Sequence, residues 1–162
     1  MSRAIVIYFS LEGNCKFIAE VMSEALGADL LRLETVKKLN PKSFSKFFWG
    51  GMQASLGKKP ELEKYLFESE KYDTIILGAP VWASQFAPAF NTFLDKNNLR
   101  DKQLALFCCH AGGMGKTLTK MEQKLNADGK KEIPCIDFIE PLKRDKAVCQ
   151  NKALDWIKNN FE

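Results

Sequence analysis

Short apolar runs alternate along the chain with longer amphipathic ones. Residues 4–9 (Ala-Ile-Val-Ile-Tyr-Phe) form a β-branched run, and in 15–26 Phe17, Ile18, Val21, Met22 and Ala25 recur at helical spacing, so the pattern predicts a strand and then a helix with one apolar face. Gly27 is placed to stop that helix. Residues 29–33 mix apolar and charged positions, as an edge strand does. The segments 74–79 and 103–109 are apolar almost throughout, the pattern of strands covered on both faces. Helices are expected over 86–94, over 117–125 with Leu118, Met121 and Leu125 on one side, and over 144–161 with Val148, Ala153, Leu154, Ile157 and Phe161 inward. A fifth strand is expected over 133–139, with Pro134 suited to its start or to an edge.

Five strands alternating with helices require crossovers between parallel strands, and such crossovers are right-handed. The expectation is therefore an α/β fold: a three-layer, doubly wound, five-stranded parallel sheet with strand order 2-1-3-4-5. In that order the crevice between the first and third strands, at their carboxyl ends, is where a ligand binds. Residues 1–162 are expected to form one domain.

Composition narrows the class further. With 46% hydrophobic and 27% charged residues, the chain has neither the charge excess of a disordered segment nor an apolar run that could span a bilayer. Residues 4–9 are too short a run, wrongly flanked, for a signal peptide, so a cytoplasmic protein without membrane partners is expected. The five cysteines lack a spaced framework and read as reduced thiols. Cys108 and Cys109 stand directly before the one histidine, His110, which is no spacing for a zinc site. The net charge of +4 is concentrated in a basic segment over 37–60, which holds Lys37, Lys38, Lys42, Lys46, Lys58 and Lys59 and no acidic residue. Phe44, Phe47, Phe48 and Met52 fall there at i, i+3, i+4 and i+8. They read as the apolar stripe of a short helix with its lysines in water, not as a nucleic-acid surface.

Three loops leave the carboxyl ends of the first, third and fourth strands. The first, Ser10-Leu11-Glu12-Gly13-Asn14-Cys15, runs straight into a helix. Free N–H groups and the positive end of the helix dipole there suit a phosphate, with Gly13 for the turn and Ser10, Asn14 and Cys15 as donors. The second, 80–84, carries Trp82, which reads as a stacking plate for a flat aromatic ligand. In the third, Gly112 and Gly113 let the backbone come close to such a ligand. Gly115-Lys116-Thr117 resembles the end of a nucleotide-triphosphate loop, but His110 stands where its first glycine belongs, so hydrolysis of ATP or GTP is not expected.

Together the segments 8–15, 72–83 and 107–116 resemble, in order and over the whole chain, the three cofactor loops of the flavodoxin-like family, which binds flavin mononucleotide (FMN). The resemblance implies that Ser10, Glu12, Gly13, Asn14 and Cys15 surround the ribityl phosphate; Glu12 stands where a threonine is common, and its carboxylate would cost affinity unless it points to water. It implies that Trp82 stacks on the isoalloxazine and that Pro80, Val81, Ala83, Cys109, His110, Gly112 and Gly113 line the ring edge. Ala83 takes the place of a glycine used by some members, and a Cβ there disfavours positive φ; His110 or Met114 would face the second side of the ring, or that side is open. The resemblance implies a redox flavoprotein that passes electrons to partner proteins. The basic segment equally suits an FMN-dependent reductase that oxidises NAD(P)H and passes electrons to quinones or similar small acceptors, and a flavin-less binding module on the same scaffold is the third possibility.

Overall fold

The computed structural model describes residues 3–38, 57–126, 129 and 131–162. Most of the basic aromatic segment therefore lies outside the described residues, including Lys42, Phe44, Lys46, Phe47, Phe48 and Met52 and the helix expected there. In chain order the elements are β1 (Ala4–Tyr8), α1 (Asn14–Leu26), β2 (Asp29–Arg32), β3 (Thr74–Trp82), β4 (Gln85–Phe86), α2 (Ala89–Lys96), β5 (Gln103–His110), α3 (Thr117–Leu125), β6 (Cys135–Ile139) and α4 (Lys146–Phe161).

The main sheet is parallel, in the order β2-β1-β3-β5-β6. This is the expected 2-1-3-4-5, the extra number coming from the short β4, which pairs antiparallel with the end of β3. The central strands alternate side chains between two cores, as the pleat requires. Ile5 and Ile7 of β1, Ile75 and Leu77 of β3, and Leu104, Leu106 and Cys108 of β5 join a core with Phe90, Phe93, Leu118 and Met121 from α2 and α3. Val6, Tyr8, Ile76, Ala105, Phe107 and Cys109 join the opposite core with Ile18, Met22, Ala153 and Ile157 from α1 and α4. This double covering explains the unbroken apolar runs. β2, at the edge, is largely exposed.

Three local expectations are corrected. β3 continues through Pro80 and Val81 to Trp82, and Gln85 and Phe86 turn back on it as a hairpin, so Phe86 is a strand residue and α2 begins only after Pro88. In α4 the buried positions are Cys149, Ala153 and Ile157, while Val148 is 60% and Leu154 38% exposed. The i, i+4, i+8 row of mostly small side chains lets α4 pack against α1. Ala25 likewise faces solvent.

Candidate functional site

At the carboxyl edge of the sheet the chain between β1 and α1 turns sharply. Gly13 has φ 99 and caps α1, and its N–H donates to the Ser10 hydroxyl, Oγ at 3.1 Å. No side chain caps α1, and its first turn holds no acid. The helix therefore presents a positive terminus that an anion can satisfy. Asn14 does not point into this terminus. Its Oδ1 accepts from the Leu142 N–H at 3.0 Å, tying the loop after β6 to the turn, with the Leu142 side chain 3.2 Å from where a Cβ on Gly13 would stand. The Glu12 carboxylate is 55% exposed and 4.0 Å from Lys143 Nζ, turned to water. The Cys15 side chain is buried, 1% exposed, in the core beneath α1, so its thiol does not face the turn. Ser10 is 5% exposed, and Arg32 donates to its carbonyl.

The second loop is a two-residue hairpin turn. Ala83 and Ser84 have φ 49 and 62, and Trp82 pairs with Gln85, the geometry that places both central residues at positive φ. Ala83 thus adopts the conformation its Cβ was expected to resist. Trp82 is not an exposed plate. It is 7% exposed and packs edge-on against Phe9, with centroids 5.4 Å apart and an interplanar angle of 89°. The indole follows β3 further than the sequence suggested and so becomes part of the core under the loops. Pro80 and Val81 are half-buried on the same strand.

The third loop is seated on this hairpin. Lys116 N–H donates to the Ser84 carbonyl at 3.2 Å. A Cβ on Gly115, which has φ 53, would come within 2.5 Å of the Ser84 Cβ, so glycine is required for the approach. On Gly112 and Gly113 a Cβ would meet nothing within 4 Å, which leaves that side of the loop open. Thr117, the last residue of the nucleotide-loop look-alike, is fully buried. Cys109 is buried too, and burial, with a hydrogen bond to Cys15, pushes its thiol well above the ordinary range.

His110 ends β5 with an imidazole only 6% exposed, its Nε2 2.7 Å from Asp137 Oδ2. It is no cover for a ring face. Although burial opposes it, the hydrogen bond from His110 and the charge of Lys152 hold the Asp137 carboxyl below its usual range. Asp137 escaped the sequence reading because it lies in a strand of mixed pattern. Only the register of β5 and β6, which pairs Cys108 with Asp137, brings it beside His110. The loop after β6 also joins the cluster, with Glu140 N–H bonded to the His110 carbonyl and Arg144 to that of Ala111. Among the described residues the non-glycine positions with positive φ are Ala83, Ser84 and Glu140, all at this edge, where strain concentrates around functional sites.

Residues 3–160 match the flavodoxin family model. The chain belongs to the flavodoxin family. Among solved structures, a protein from Bacteroides uniformis classed as a flavoprotein is 18% identical with a TM-score of 0.77, covering 97% of this chain and 98% of that one. A flavoprotein from Lactobacillus acidophilus, in complex with FMN, is 21% identical with a TM-score of 0.67, covering 90% of this chain and 98% of that one. Oxidised Flavodoxin 1 from Bacillus cereus is 19% identical with a TM-score of 0.55, covering 97% and 98%. No curated protein sequence matches significantly. At these identities the structural likenesses establish the fold of this flavodoxin-family chain. No helix among the described residues is long and apolar enough to cross a membrane.

Proposed function

We propose that this flavodoxin-family protein binds FMN in the crevice between β1 and β3 and transfers electrons through it. The observation that carries the reading is the uncapped, acid-free start of α1 after the Gly13 turn, opening where three other loops converge. The donor set fits the group. The α1 amides, presented by the Gly13 turn, would hold the phosphate, and the open backbone of Gly112 and Gly113, with His110, would meet the polar edge of the ring. Bound there, FMN would supply one- and two-electron chemistry while the protein orients it. Ser10 shapes the turn by accepting the Gly13 N–H, and Trp82 supports the loops from below. The relative from Lactobacillus acidophilus, whose structure contains FMN, supports this choice of flavin.

Electron transfer to a protein partner is the leading reading, supported by the exposed apolar side chains of Met114 and Leu142 on loops at this edge and of Ile139 at the end of β6. Exposed Lys116 and Lys143 favour the second reading, an NAD(P)H-dependent reductase of quinones or similar small acceptors, because they offer charge to dinucleotide phosphates. An FMN titration of the purified chain tests the first step: flavin fluorescence is quenched on binding, and riboflavin binds more weakly for want of the phosphate. No quenching by either supports the flavin-less module. Steady-state NAD(P)H oxidation with a quinone then separates carrier from reductase.

A further inference from the structure

Among the described residues two buried side-chain atoms lack a hydrogen-bond partner, His110 Nδ1 and Thr117 Oγ1. They stand at the two ends of the third loop. An unpaired buried polar atom is costly, so its persistence beside a crevice points to a partner supplied from outside the chain. The other face of the imidazole is fully specified: an ionised carboxylate can only accept, so the hydrogen of the 2.7 Å contact resides on Nε2. Nδ1 is then the one site on the ring where a proton can come and go.

We propose that His110 and Asp137 form a proton-holding pair for the flavin site, with Asp137 as the positioning residue and His110 Nδ1 taking a proton from water when the bound ring gains negative charge. This rests on the FMN reading above. The electrons come from a chemical reductant such as dithionite, or from reduced nicotinamide. The proton comes from solvent; one N–H bond forms on His110 and no protein bond breaks. The pair sits among several charges. Lys152 reaches Asp137 from α4, with Nζ 3.7 Å from Oδ1. Glu140, on the loop after β6, is paired with Lys143 and Arg144. Arg144 donates to the Ala111 carbonyl. From β3, Pro80 pairs with the neighbouring Cys109. Buried Cys108, on the same strand, stays a neutral thiol.

The chain has a single histidine, so its imidazole can be followed by NMR without assignment. In the FMN-loaded protein the titration midpoint of His110 is expected to rise by at least one pH unit, a tenfold gain in proton affinity, when dithionite reduces the flavin. Between the oxidised and reduced midpoints the redox potential should fall more steeply with pH than in His110→Gln, by about 30 mV per pH unit for one extra proton per two electrons. An identical His110 titration in both redox states overturns the proposal, and needs no variant. Asp137→Asn should bind FMN yet lose the redox-linked shift; retention of the full shift removes Asp137 from the pair. If the flavin never binds, the initial titration shows it, and that failure belongs to the FMN reading.

Discussion

Gly115 and Ser84 touch so closely that the third loop and the β3–β4 hairpin form one unit: a Cβ on Gly115 would lie 2.5 Å from Ser84 Cβ and 2.8 Å from its Cα. The backbone of Ser84 is itself held at φ 62, so it has little freedom to retreat. Gly115→Ala combines a left-handed conformation, costing about 1–2 kcal/mol, with overpacking, costing about 1–3 kcal/mol. Urea unfolding should show a loss of about 2–5 kcal/mol on those grounds, with FMN affinity falling as the loop lifts.

The same hairpin predicts a gain. Ala83 sits at φ 49, a conformation glycine adopts without the Cβ penalty. After the larger unfolded-state entropy of glycine is counted, Ala83→Gly should stabilise the protein by about 0.5–1 kcal/mol. Thermal unfolding reads the change.

Trp82 supports the site from within the core. Removing an indole that is 7% exposed and packed on Phe9 should cost about 3–5 kcal/mol, so Trp82→Ala should melt markedly lower even without flavin. FMN affinity should also fall by more than tenfold. A wild-type melting temperature would show that the indole contributes little to this packing.

At Gly13 the test is chemical selectivity. The residue has φ 99 with Leu142 3.2 Å from its absent Cβ, so Gly13→Val deforms the turn that presents the α1 amides. Binding of FMN should drop far more than binding of riboflavin. Equal losses for both would move the phosphate away from this turn.

Acid stability follows from Asp137. Its carboxyl is held below its unfolded value, so the group stabilises the fold above the ordinary aspartate pKa of about 3.9. That contribution disappears as pH falls through the lower folded value. Asp137→Asn should therefore lose less stability than wild type between about pH 5 and pH 2, measured by urea unfolding at stepped pH.

Periodicity determined much of the architecture. Runs such as 4–9, 74–79 and 103–109 could be buried only between two helical layers, and alternation with amphipathic helices made the sheet parallel and doubly wound. The Gly13 turn was legible for the same local reason, since a glycine before a helix start has few other uses. Tertiary structure decided where individual side chains went. Trp82 looks like a loop residue until β3 is seen to continue and fold back, Cys15 like a donor until α1 turns it inward, and Asp137 like nothing until strand register sets it against His110. Helix and strand repeats are written into neighbouring residues, whereas register, hairpin extension and the meeting of distant loops are settled by contacts between segments many residues apart, which no local pattern encodes.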